Sequence, residues 1–89
     1  IILMNINELI AIVKNKLQTE IVIQDIKIED KSFLHKNHKG NQKGKFHLKL
    51  IINSEELAKT SKIVSTKKIY NVLDFELKEY IHSIQILLN

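Results

Sequence analysis

Cysteine is absent from this sequence, which excludes a disulfide framework, a thiolate nucleophile and any metal centre whose thiolate comes from the chain itself. Arginine is absent too, all fourteen basic residues being lysines, so the bidentate guanidinium contacts that lead sequence-specific base readout cannot form. No apolar run approaches the roughly 20 residues needed to cross a bilayer. Ile1-Ile2-Leu3-Met4 is too short for the apolar region of a signal peptide, and the protein is read as cytoplasmic. Proline is missing and only two glycines occur, against an abundance of Lys, Ile and Asn. A biased, AT-rich coding sequence would produce that usage unaided. No nucleophile with its base, glycine-rich phosphate loop or carboxylate dyad stands in a recognised catalytic motif, so the chain is read as a non-enzyme.

What is present suits a small folded domain. Hydrophobic residues make up 44% and charged residues 27% of the 89 positions, the balance of ordinary globular proteins. One domain spanning 1–89 is expected, and a chain this short hides only about 60% of the surface it exposes when unfolded. The net charge of +4 and a pI near 9.4 allow attraction to nucleic acid or to acidic partners.

Hydrophobic periodicity gives the elements. Ile6, Leu9, Ile10, Val13 and Leu17 recur at helical steps, and Asn5 followed by Glu8 imitates a capping box at the start. Ile26 and Ile28 alternate with Lys27 and Glu29, predicting a strand over about 24–30, and Phe46, Leu48, Leu50 and Ile52 predict a second. Ser54 to Lys59 forms a helical turn. Ile69, Val72, Leu73, Leu77, Tyr80 and Ile81 then predict one long helix over roughly 62–81, and His82 to Leu88 a last strand. The order α-β-β-α-β predicts an α/β (α+β) domain. Its third strand, returning after a crossover helix, lies parallel to the second, so a three-stranded mixed sheet with both long helices on one face is expected.

Between the first two strands runs a long segment holding His35, His38, Gly40 and Gly44, rich in lysine. A histidine in such a segment is ordinarily solvated surface. Gly40-Asn41-Gln42-Lys43-Gly44 is one residue too long for the Gly-x-x-Gly loop of nucleic-acid-binding KH domains and lies between strands. His47 alternates with core residues and is expected to point from the solvent face of the second strand. In the long helix, Lys59, Lys62, Lys67 and Lys68 crowd the start while Asp74, Glu76 and Glu79 lie further along, the reverse of what the helix dipole favours. A helix start flanked by lysines suits phosphate or a carboxylate-rich partner.

Several motifs resemble the BolA family. Asp30-Lys31-Ser32-Phe33-Leu34-His35 is similar to its Asp-x-Ser-x-x-His signature, with His38 where many members carry a second loop histidine. Gly44-Lys45-Phe46-His47-Leu48 resembles its Ser-His-Phe start of the second strand, and Ile81-His82-Ser83-Ile84 its Val-His-Ala-Leu. The 17 residues from Ser54 to Tyr70 match its spacing from the strand-ending Ser to the Val/Ile-Tyr of the long helix. Lys45, Leu57 and Lys59 depart from the pattern, as does Ser65-Thr66-Lys67, which stands in place of an Arg-His-Arg stretch.

The resemblance implies a class II KH-like fold and a non-enzymatic adaptor that partners a monothiol glutaredoxin and shares or receives a [2Fe-2S] cluster. Histidine can replace cysteine at one iron of such a cluster. His82 with His35 or His38 is the implied ligand set, the sulfur coming from the partner. Some members are described as DNA-binding regulators of stress and morphology genes, which would engage Lys59, Lys62, Lys67 and Lys68. No membrane partner is expected, and the chain alone is expected to be a monomer or weak homodimer.

Overall fold

The computed structural model describes residues 4–32 and 46–89. Helix α1 (Ile6–Glu20) starts where Asn5 caps it: the Asn5 side chain accepts from the Glu8 N–H at 2.8 Å and its amide donates to the Glu8 carboxylate at 2.6 Å. The cap expected from sequence forms, satisfying an amide that the first helical turn leaves without a carbonyl, while the Glu8 carboxylate accepts from the Asn5 side chain in place of its backbone N–H. Strand β1 (Asp25–Asp30) pairs antiparallel with β2 (Phe46–Asn53), which pairs parallel with β3 (Ile81–Leu88) in the order β1-β2-β3. This is the mixed α+β sheet that the element order predicts.

Alternation decides which face of the sheet is covered. Leu48, Leu50 and Ile52 of β2 are buried with Ile26 of β1 against Leu9, Val13 and Leu17 of α1. Each fully buried leucine contributes on the order of 1.5–3 kcal/mol through water exclusion. The core is completed by Ile21, Leu57, Ile69, Leu73 and Ile81.

The second half of the chain corrects one expectation. The segment predicted as a single helix over 62–81 is two helices. After α2 (Glu55–Ala58), α3 (Lys62–Val72) ends at Leu73, which leaves helical geometry at φ −99° and ψ 15°, and α4 (Asp74–Glu79) follows. Leu73 is fully buried, so the break lets one apolar side chain anchor both helices. The break also removes the apparent conflict with the helix dipole, because Asp74 and Glu76 lie in the first turn of α4 and Lys78 in its last, the arrangement the dipole favours. Lys62 still opens α3 without an acid beside it.

Glu76 is 3% exposed, and Lys16 of α1 reaches it at 2.8 Å and 3.0 Å through its two carboxylate oxygens. A buried carboxylate without a partner costs far more than its pair contributes. Lys16→Met is therefore expected to destabilise the fold by about 1–3 kcal/mol, and Lys16→Met with Glu76→Leu to recover most of that loss. Denaturant unfolding of the three proteins checks it. Equal loss in the single and double variants would contradict it.

Candidate functional site

The start of β3 does not keep step with β2. Phe46 pairs with Ile81, but His47 pairs with Ser83, so β3 spends two residues where β2 spends one. His82 is the extra residue of a β-bulge, a feature that re-aims side chains at sheet ends. Its effect is visible in burial. Ile84, Ile86 and Leu88 pack against the core, and strict alternation would send position 82 the same way. The bulge instead puts Ile81 into the core at 3% exposure and leaves both His82 and Ser83 exposed.

His82 thereby meets His47. Their ring centroids lie 5.0 Å apart with planes at 61°, edge to face. The expectation for His47 needs correction. It does leave the core face, opposite to Leu48, but it is buried at 3% exposure rather than solvated. A buried imidazole needs hydrogen bonds, and His47 Nδ1 shares one of 2.6 Å with Ser83 Oγ. The bulge thus supplies two neighbours of the His47 side chain, the ring of His82 and the hydroxyl of Ser83. The sequence did carry a signal: the apolar positions Ile81, Ile84, Ile86 and Leu88 are spaced three, two and two, and the single step of three marks the inserted residue.

Ties from β1 complete this rim of the sheet. The Asp30 side chain accepts from the Ser32 N–H at 2.9 Å, an Asx turn that ends β1. Ser32 Oγ then accepts from the His47 N–H at 3.1 Å, and the Lys31 N–H donates to the His47 carbonyl at 2.7 Å. Asp30 and Ser32 therefore fix where the intervening segment leaves the sheet, beside His47. A depression of about 370 Å³ lined by Lys31, His47, Lys49, Ser83 and Gln85 opens next to it. His35 and His38, expected as ligands with His82, lie outside the described residues, as do Gly40 and Gly44.

Among the described residues, no three His, Asp or Glu side chains converge to hold a metal ion. The donor set there is an exposed imidazole, His82, beside a buried one, His47. That chemistry fits a group completed by ligands from elsewhere better than a metal held by the described residues alone.

At the opposite end of the sheet, Ser54 caps α2 by accepting from the Leu57 N–H at 3.1 Å and donates to the Val22 carbonyl at 2.7 Å. Ser65, fully buried, donates to the Leu57 carbonyl at 3.0 Å and bonds Thr60 Oγ1 at 2.7 Å. These bonds hold α2 and α3 in a tight helical corner. Lys59, Lys62, Lys67 and Lys68 are all exposed around it, interleaved with Ile63 and Tyr70, which are 71% and 44% exposed. Lys68 is occupied: its ammonium donates to Glu56 at 2.6 Å. That bond, with the Val22 N–H, holds the Glu56 carboxyl below the usual carboxylate range. No helix among the described residues is long and apolar enough to cross a membrane.

Comparison with known proteins agrees with this architecture. A family profile described as "BolA-like protein" matches residues 17–89. The chain is 30% identical over 75 residues, 84% of its length and 70% of the relative's, to a protein of Haemophilus influenzae described as "DNA-binding transcriptional regulator BolA". The BolA domain of SufE1 from Arabidopsis thaliana superposes with a TM-score of 0.75 at 26% identity, covering 89% of this chain and 87% of that one. Mouse BolA1, at 17% identity over 86% of this chain and 60% of its own, shares the fold with a TM-score of 0.69. The protein belongs to the BolA-like family.

Proposed function

We propose that the protein is a non-enzymatic adaptor that lends imidazole ligands to a [2Fe-2S] cluster carried by a monothiol glutaredoxin. The observation that carries this reading is the bulge, which holds His82 exposed at the rim where the His35 and His38 segment leaves the sheet. A chain without cysteine offers a cluster no thiolate, and imidazole is an accepted substitute for thiolate at one iron. The sulfur then comes from the partner, which makes the complex and not the free chain the cluster-holding species. His47, pinned by Ser83, packs against the His82 ring and limits its orientations. When bound, the cluster would supply the electron-accepting or transferable iron-sulfur unit.

The test is reconstitution with a monothiol glutaredoxin. His82→Ala is expected to change the visible absorption and circular dichroism of the shared cluster and to weaken the complex at least tenfold, whereas the free variant stays folded. Of His35→Ala and His38→Ala, one is expected to reproduce the spectral change. A spectrum indifferent to His82→Ala would end this reading.

A second reading, nucleic-acid binding at the helical corner, is favoured by one observation. Lys59 after α2, Lys62 at the start of α3 and Lys67 along it stand exposed, and the Haemophilus relative is described as DNA-binding. Without arginine, such binding would rest on phosphates and be weakly selective for sequence. On this reading, replacing each of the three by Gln lowers the slope of log affinity against log salt by about 1. Lys68→Gln, whose ammonium Glu56 already engages, has a smaller effect. A duplex bound with no salt dependence, or not bound in about 50 mM salt, would remove it.

A further inference from the structure

Strand β3 is an edge strand of eight residues with no charged residue, no proline and no glycine. Sheet edges are usually guarded by charge, because open N–H and C=O groups recruit further strands. The other edge follows that rule: β1 carries Asp25, Lys27, Glu29 and Asp30 among its six residues. Among the described residues, no strand lies beyond β3.

The direction of the open groups can be read from the ladder. The Asn89 N–H donates to the Ile52 carbonyl at 2.9 Å, with Ile52 opposite Leu88. In a parallel pair, one residue bonds to the two that flank its partner, so odd-numbered residues of β3 spend their backbone groups on β2. Ile84, Ile86 and Leu88 therefore aim N–H and C=O outward. Their side chains are only half buried on the helix side. Beside them lies a groove of about 280 Å³ lined by Leu57, Ala58, Ile86 and Leu88, with Lys62 and Thr60 also on its wall.

We propose that this edge pairs with a second copy of the chain, β3 antiparallel to β3 about a two-fold axis at Ile86. Ile86 then faces its own copy and Ile84 faces Leu88, so the three outward pairs of backbone groups bond reciprocally. The half-buried apolar side chains meet over the two grooves, and Gln85 opposes Leu87 on the other face. No charge stands on the edge, so a chain with a net charge of +4 brings no like charges directly together there. A head-to-tail alternative would set β3 against the charged β1 edge and leave those charges opposite isoleucine and leucine. The closed, two-fold arrangement avoids this. One strand edge with its flanking side chains is a small interface, of the size found in weak, reversible association.

Sedimentation equilibrium of the purified chain across about 5 µM to 1 mM reads it directly. The expected result is a reversible monomer–dimer equilibrium. Ile86→Pro removes an N–H that faces only the open edge, leaving the β2 ladder intact, and is expected to weaken dimerisation at least tenfold with unchanged far-ultraviolet circular dichroism. Should that variant not fold, a second pair decides. Gln85→Lys with Leu87→Lys sets like charges across the axis and is expected to abolish the dimer, whereas Gln85→Lys with Leu87→Glu restores it through cross-strand pairs. A wild-type chain monomeric at every concentration overturns the proposal. So does a dimer that these substitutions leave unchanged.

Discussion

One extra residue sets the phase of a strand, and the chemistry at this end of the molecule depends on it. A strand in strict alternation that turns Ile84, Ile86 and Leu88 inward must turn His82 inward and Ile81 outward, and one that turns Ile81 inward must turn those three outward; neither alternative serves. Placing His82 with the isoleucines would bury an imidazole among Leu48 and its neighbours with no hydrogen-bond partner there. The bulge resolves the conflict by spending two residues against one. Ile81 fills the core, His82 faces out, and Ser83 arrives where His47 needs a hydrogen-bond partner.

The surrounding bonds make that placement rigid. Asp30 turns the chain at Ser32, Ser32 accepts from the His47 amide, and Lys31 donates to the His47 carbonyl. The end of β1 and the beginnings of β2 and β3 are joined through this one histidine. Behind the rim, α4 leads into β3, and the buried Glu76 of α4 is held by Lys16 of α1. The start of β3 is thereby tied to the first helix as well as to the sheet. Two other regions lie apart from the rim: the lysine-bearing corner of α2 and α3 at the opposite end, and the uncharged edge of β3.

Much of the fold was legible from periodicity. The cap at Asn5 and the two alternating strands follow from residue spacing, because period and burial are coupled by geometry, and the parallel return of the third follows from the helical crossover before it. The helix break at Leu73 was hidden. Ile69, Val72, Leu73 and Leu77 continue an unbroken helical stripe across it, and no glycine or proline marks the change. The break is set by the tertiary path of the chain, which leaves α3 at Leu73 and reaches β3 at Ile81 through the short α4. The role of His47 was hidden for a related reason. Alternation shows which face a residue leaves by but not whether that face is covered, and here Ser83 and His82 reach it only through the bulge.

All of this requires that His82 leave the strand on the side of His47 and not on the side of the core. Two-dimensional nuclear Overhauser spectroscopy on the isolated protein distinguishes the two sides. Cross-peaks are expected between the imidazole protons of His82 and His47, whose ring centres are 5.0 Å apart, and none from His82 to the methyl groups of Leu48 or Leu50. Contacts from His82 to those methyls, with none to His47, would contradict it.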